Sequence, residues 1–205
     1  MRGGQPKSFR ERIEQYAAKQ GVAPSDLVEV KLICQNPLID RMESTVLSTL
    51  TNCQYLRLST NKISNMITIT GMKKLEILSL SRNQIRLIKG LDEVGATLKQ
   101  LWLSYNEIPK LDGLNRCEAL TTLYMAHNKI HDWSELDKLN DLKNLKTVVF
   151  IGNEIYRNKT FDHEPRLEVL RRIPHLTMID GVLVQPEERT KVEEIEELMA
   201  KALEE

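Results

Sequence analysis

The residues that usually carry chemistry are sparse in this chain of 205 amino acids, and their spacing favours neither a catalytic nor a metal site. His127 and His131 stand four residues apart, but they flank a predicted turn after a strand and share no helical face for a metal ion. Cys53 and Cys117 occupy positions that call for a small buried apolar side chain. Cys34 has no neighbouring histidine to activate it as a nucleophile. We therefore expect a protein without enzymatic activity, metal or cofactor.

An internal repeat positions these residues. The pattern L-x-x-L-x-L-x-x-N-x-I, with Cys, Val, Met or Phe at some apolar positions, occurs five times. The copies span residues 53–63, 75–85, 98–108, 120–130 and 145–155. Their asparagines, spaced 22, 23, 22 and 25 residues apart, are Asn61, Asn83, Asn106, Asn128 and Asn153. This pattern is the leucine-rich repeat, and it predicts an α/β solenoid of the 22-residue class.

Each part of the repeat has a physical role. The L-x-L pair, such as Leu78 and Leu80, predicts a short strand with both leucines pointing inward, because strand side chains alternate between two faces. The five asparagines are expected to be structural, with amides that bond backbone groups left unpaired by the turn. Further apolar residues follow in steps of three, which suit helical or 3₁₀ turns. We thus predict a parallel sheet on the concave face and helical turns on the convex face.

A stack of repeats leaves an open core at each end and needs a cap there. Ser8 and Glu11 form a predicted capping box, and Pro186 stands where an amphipathic helix would begin. Before that helix, Met178 is expected to point inward, and a turn at Asp180 replaces the repeat asparagine. The predicted domains are a capping helix, the repeats, a C-terminal repeat cap and an acidic helix, at residues 1–22, 23–164, 165–185 and 186–205.

The charge balance limits the kinds of partner. Lys and Arg number 29 and Asp and Glu number 29, whereas a nucleic-acid-binding protein normally carries a basic excess. No apolar run is long enough to span a membrane, and no secretion signal opens the chain. We therefore expect a cytoplasmic protein with no nucleic acid and no membrane as partner. Within the total, residues 186–205 carry eight acids and three bases, so their net charge of −5 leaves +5 for the rest.

The outward positions of the predicted strands are unusually rich in aromatic residues. Four of the ten aromatic residues of the chain fall there or in the adjoining loop, and apolar aromatic patches often mark protein interfaces. The predicted protein-binding residues are Tyr55, Arg57, Ile77, Arg82, Trp102, Tyr105, Tyr124, Val149 and Ile151. Two alternatives stay open. Either these are scattered surface residues without a function, or the C-terminal helix folds back over part of the face.

Several segments resemble a known group of proteins. The 22-residue spacing, the NKI, NQI and NEI endings and the cap at residues 173–181 (IPHLTMIDG) are similar to the short, helix-backed class of leucine-rich-repeat proteins. That class includes phosphatase regulatory proteins and a spliceosomal subunit, which remain alternatives. Residues 35–42 (QNPLIDRM), 56–63 (LRLSTNKI) and 101–106 (LWLSYN) most resemble the leucine-rich-repeat light chains of axonemal outer-arm dynein.

This resemblance implies a non-catalytic subunit of a ciliary or flagellar motor, placed on the cytoskeleton of the axoneme. It would bind a dynein heavy chain at the microtubule-binding tip of its stalk, through an apolar patch on the sheet face, and modulate the motor. By position the patch carries over to Tyr55, Ile77, Trp102, Tyr105 and Tyr124. The family also has a projecting C-terminal helix with basic residues suggested to touch the motor or tubulin. Here that helix is acidic, which argues against its contact with acidic tubulin, although tubulin remains a candidate partner.

Overall fold

A mostly parallel sheet lines the concave side of the protein, because each repeat contributes one short strand through its L-x-L pair. The computed structural model describes residues 8–157 and 164–204, and in this part of the chain eight strands pair in sequence order. They are β1 (Glu29–Lys31), β2 (Tyr55–Arg57), β3 (Ile77–Ser79), β4 (Gln100–Trp102), β5 (Thr122–Tyr124), β6 (Thr147–Val149), β7 (Met178–Ile179) and β8 (Val182–Leu183). Strands β1 to β7 run parallel, and β8 turns back to pair antiparallel with β7. The predicted fold class is confirmed.

Helices close the two ends and cover part of the convex side. The α-helices are α1 (Phe9–Gln20), α2 (Ser44–Leu47), α3 (Pro165–Arg172) and α4 (Pro186–Glu204), and 3₁₀ helices span Pro24–Asp26, Trp133–Leu139 and Glu154–Arg157. After β2, β3 and β4 the chain returns along the convex side through turns and forms no helix there. The repeat between Asn128 and Asn153 is longer, and its extra length accommodates the seven-residue 3₁₀ helix.

The repeat asparagines join each turn to the repeat before it. The side-chain amide of Asn106 donates to the carbonyls of Leu80 (3.0 Å) and Leu103 (2.9 Å), and its Oδ1 accepts from the backbone N–H of Ile85 (2.9 Å). The same three kinds of bond recur at the other four asparagines: Asn61, Asn83, Asn128 and Asn153. All five are buried, so these bonds satisfy backbone groups that water cannot reach.

The N-terminal end is closed by α1, whose predicted capping box is present. Ser8 Oγ accepts from the Glu11 backbone N–H, the Glu11 carboxylate accepts from the Ser8 N–H, and Gly21 ends the helix with φ 72°. The helix buries Phe9 and Ile13 in the same core as the repeats. Hydrophobic burial and capping thus act together to hold the first repeat.

At the C-terminal end, Asp180 replaces the repeat asparagine, because its carboxylate accepts hydrogen bonds from the preceding repeat. Its Oδ1 accepts from the backbone N–H groups of Phe150 (2.7 Å) and Ile151 (3.0 Å), and its Oδ2 accepts from the Tyr156 hydroxyl. The prediction that Met178 points inward is wrong. Ile179 is the buried residue, because it pairs with the inward Val148, and this register turns Met178 to the concave side.

The C-terminal helix α4 packs against α3. Arg189 donates to the carbonyls of Pro174 (2.6 Å) and Leu176 (2.7 Å), and Glu188 pairs with Arg166 on α3. Val192 is buried, whereas Leu198 is 65% exposed, so only the first part of the helix packs on the protein. The alternative in which this helix folds back over the sheet is therefore not the observed packing.

The asparagine bonds predict a measurable loss of stability. Replacing Asn106 by Ala leaves the buried N–H of Ile85 without its partner and removes one of the two amide donors to each of the carbonyls of Leu80 and Leu103. We expect this to cost ~1–3 kcal/mol of unfolding free energy. Urea unfolding followed by circular dichroism measures the change. Asn65→Ala is the control, because Asn65 is exposed and its side chain bonds, within residues 8–157 and 164–204, the Ser64 hydroxyl alone. Equal unfolding midpoints for the two variants would contradict the role given to these bonds.

Candidate protein-binding face

The strand register sorts the concave side chains into two rows that cross the sheet. The first row holds the first residue of each strand, among them Tyr55, Ile77, Gln100, Thr122, Thr147 and Met178. The second row holds the third residue, among them Arg57, Ser79, Trp102, Tyr124 and Val149. Apart from Ser79 these side chains are half-buried. Together they form one continuous surface, because each pair of neighbours is directly in register.

Aromatic and apolar side chains form the middle of this surface. The rings of Trp102 and Tyr124 lie 5.5 Å apart, and the Trp102 indole N–H donates to Gln100 Oε1 (3.2 Å). Val149 follows Tyr124 in register on the next strand. We call Tyr55, Ile77, Trp102, Tyr124 and Val149 the aromatic patch. Tyr55 and Ile77 are neighbours in the first row, and Trp102, Tyr124 and Val149 are neighbours in the second. This grouping argues against a random scatter of surface residues.

Charge is matched within the chain at the N-terminal end of the sheet. Arg57 lies 3.0 Å from the Glu29 carboxylate, which also pairs with Lys31 at 2.9 Å. The neighbouring Ser79 is not the exposed face residue that strand alternation predicts, because it is only 3% exposed. It lies in register between the larger Arg57 and Trp102, and its hydroxyl is 2.6 Å from that of Ser59.

On the loop side of the sheet, three exposed residues stack on one another. The Arg82 guanidinium lies 4.3 Å from the Tyr105 ring centroid, and the Tyr105 and His127 rings stack at 4.4 Å. We call Arg82, Tyr105 and His127 the rim stack. All three have left-handed backbones, with φ of 55°, 60° and 52°, a conformation that costs roughly 1–2 kcal/mol in a residue other than glycine.

In the next repeat, a glycine leaves space for the last ring of this stack. Gly152 holds the equivalent position, and a Cβ atom there would lie 2.4 Å from Nδ1 of His127. The preceding Ile151 is 53% exposed at the end of the stack. From the sequence, His127 was considered as half of a metal pair, and it is not among the predicted protein-binding residues. Its position directly before a repeat asparagine, shared with Arg82 and Tyr105, was the available signal.

Several sequence relatives of this chain share one name. Dynein axonemal light chain 1 of Chlamydomonas reinhardtii is 39% identical over 185 residues, which cover 89% of this chain and 93% of the relative. The Homo sapiens protein of the same name is 40% identical over 177 residues, covering 86% of this chain and 93% of the relative. A family model for leucine-rich repeats, in two copies, matches residues 96–138.

Similarity to a solved structure supports the fold alone. The crystal structure of the Drosophila melanogaster SNF/U2A' complex contains a chain that matches with a TM-score of 0.57 and 21% identity. The match covers 67% of this chain and 78% of that one. At this identity the similarity shows a shared fold, and no function is inferred from it.

The residues first considered for chemistry lie apart from one another. Cys53 and Cys117 are buried, and burial raises the pKa of their thiols to about 11 and about 12. Cys34 is exposed, and His127 and His131 lie at the surface. Within residues 8–157 and 164–204, no three His, Cys, Asp or Glu residues are grouped to hold a metal ion. In the same part of the chain, no helix has the length and hydropathy to cross a membrane.

The three thiols should differ sharply in reactivity. In the native protein at pH 8 we expect one thiol per chain, that of Cys34, to react rapidly with a disulfide reagent, because only an accessible thiolate attacks. After unfolding in urea all three should react. A colorimetric thiol count checks both states, and Cys34→Ser should remove the rapid native reaction. Rapid reaction of three thiols in the folded protein would contradict the burial of Cys53 and Cys117.

Proposed function

The chain belongs to the dynein axonemal light chain 1 family, and from this membership we propose that it is a non-catalytic light chain of ciliary or flagellar outer-arm dynein. In this proposal it binds a heavy chain at the microtubule-binding tip of the stalk and modulates the motor. Its place is the cytoskeleton of the axoneme. The observation that carries the proposal is the aromatic patch on the concave sheet, in which Trp102, Tyr124 and Val149 are in register, in a chain about 40% identical to named light chains.

The physical properties of the aromatic patch support a protein partner. Trp and Tyr are the side chains most often found as binding hot spots, because they bury a large area with little loss of conformational entropy. Strands β2 to β6 each pair on both sides, so this region offers no open edge to which a partner strand could be added. Side-chain contacts therefore have to supply the affinity.

The fold suggests how binding would act on the motor without chemistry. The asparagine bonds tie successive repeats together, so the concave face is a stiff surface held at fixed curvature. A stiff surface fixed to the stalk tip would bias the orientation in which the tip meets its track. A direct contact with tubulin through α4 is not part of the proposal, since residues 186–205 carry a net charge of −5 and tubulin is acidic.

The alternatives of a phosphatase regulatory subunit or a spliceosomal subunit have less support. The likeness to the SNF/U2A' complex is at 21% identity, whereas the named light chains reach 39–40% over nearly their full length. Repeat architecture is shared by many functions and does not choose among them.

The aromatic patch predicts the effect of one substitution. Trp102→Ala should weaken binding to a recombinant stalk-tip fragment of an outer-arm heavy chain by ~2 kcal/mol, about 30-fold in Kd, as expected for a hot spot. Leu87→Ala is the matched control, because Leu87 is an exposed apolar residue outside the strands and should leave Kd unchanged. Isothermal titration calorimetry gives Kd, and unfolding curves confirm that both variants fold.

Two results would count against the proposal. If the unmodified protein shows no binding to the stalk-tip fragment, the assignment of this partner fails. If it binds but Trp102→Ala and Leu87→Ala both leave Kd unchanged, the partner uses another surface.

A further inference from the structure

We infer that the rim stack is a preformed receptor for a carboxylate, and that it receives an aspartate or glutamate from an amphipathic helix of the heavy chain seated on the aromatic patch. This inference rests on the proposed function and specifies the chemistry of the partner. It combines three observations: a guanidinium that pairs with no carboxylate among the described residues, a row of small residues beside it, and strands that are paired on both sides.

Arg82 supplies the charge. Among the described residues no carboxylate pairs with its guanidinium, in contrast to Arg57, which pairs with Glu29, and Arg86, which pairs with Glu107. The guanidinium instead lies over the face of the Tyr105 ring. Stacking uses the flat face of a guanidinium and leaves its in-plane N–H donors open, and these donors match the two oxygens of a carboxylate.

The other two members of the rim stack hold Arg82 in place and extend the polar surface. Tyr105 is 43% exposed and His127 is exposed, and no hydrogen bond within the described residues uses the Tyr105 hydroxyl or the His127 ring. The left-handed turns fix all three backbones, and the missing side chain of Gly152 leaves space for the His127 ring. A receptor whose groups are already ordered loses less entropy when the ligand binds.

A row of small residues separates the rim stack from the aromatic patch. Between Trp102 and Tyr105, and in the equivalent place on neighbouring repeats, the residue is small: Ser59, Ser81, Ser104 and Ala126. Ser104 and Ala126 are joined by a bond from the Ala126 N–H to the Ser104 hydroxyl (3.1 Å). Four such residues, each two positions after its strand on adjacent repeats, span about 14 Å, which matches about nine residues of α-helix.

The choice of a helix follows from the hydrogen bonding of the sheet. Strands β2 to β6 have neighbours on both sides, so an extended peptide gains no backbone bonds there. A helix satisfies its own backbone and presents apolar side chains at i, i+3 and i+4. One apolar side of such a helix would cover Trp102 and Tyr124, and an acidic residue on its flank would reach Arg82.

The test compares two arginines of the same repeat. Arg82→Gln and Arg86→Gln remove the same charge, but Arg86 lies outside the strands and already pairs with Glu107. Against the stalk-tip fragment at 50 mM salt, we expect Arg82→Gln to raise Kd about 10-fold and to flatten its salt dependence. Arg86→Gln should stay within about twofold of the unmodified protein. Tyr105→Leu should raise Kd in the same direction, and adding it to Arg82→Gln should have little further effect, because both remove one receptor.

Charge reversal identifies the partner group. Each acidic residue on the stalk-tip helices is changed singly to Lys, and one of these fragments should lose affinity for the unmodified protein and regain it with Arg82→Glu. If Arg82→Gln and Arg86→Gln raise Kd equally, or neither does, the rim stack is not the receptor, even where Trp102→Ala abolishes binding and the proposed function stands. If Arg82 instead supports concentration-dependent self-association, seen as a dimer by light scattering without the fragment, the occupant is the acidic α4 of a second copy, and the heavy-chain helix is excluded.

Discussion

The hydrogen bonds of the buried asparagines are the interaction on which the rest of the structure depends. Each one connects its turn to the previous repeat through one carbonyl and one N–H, and it also bonds a carbonyl of its own repeat, as at Asn106. Buried amides cannot exchange these partners for water, so a shift of one repeat against the next would leave several polar groups unsatisfied. This constraint keeps the strands in one register and gives the concave face its fixed order of side chains. At the last repeat, the carboxylate of Asp180 makes this connection, since it accepts from two backbone N–H groups of the preceding repeat.

The same constraint creates the surface available to a partner. The chain has to turn sharply before each asparagine, and it does so through a left-handed residue, which is Arg82, Tyr105 or His127 in three consecutive repeats. These turns place the three side chains one above another at the rim, while strand alternation places Trp102 and Tyr124 on the sheet. Structural and proposed binding roles are thus divided between adjacent positions of one repeat. The family relationship to axonemal dynein light chains gives this surface its proposed partner.

Much of this organisation was accessible from the sequence, because five copies of one pattern in the same phase define which leucines point inward. The parallel sheet, the capping box at Ser8 and the start of α4 follow from local rules of that kind. The last repeat has no asparagine to fix which of its residues point inward. Met178 was therefore predicted to point inward, although Ile179 is the buried residue. Ser79 obeys strand alternation but is buried between its larger neighbours, a packing effect that no pattern encodes. The rim stack depends on the direction of the left-handed turns, which alternation along a strand does not describe. On the convex side, apolar residues spaced three apart fit turns as well as helices, so the pattern does not distinguish the two.

We propose that the aromatic patch is the surface that meets the heavy chain, and the two tryptophans of the chain allow a direct test. Trp102 lies in the patch, whereas Trp133 is buried on the convex side, where it stacks on Tyr156. In a ¹⁵N-labelled sample each contributes one indole N–H signal, assigned by replacing Trp133 with Phe. Titration with the unlabelled stalk-tip fragment should shift or broaden the Trp102 signal well before that of Trp133. Saturating binding that moves the Trp133 signal and leaves that of Trp102 unchanged would contradict the account.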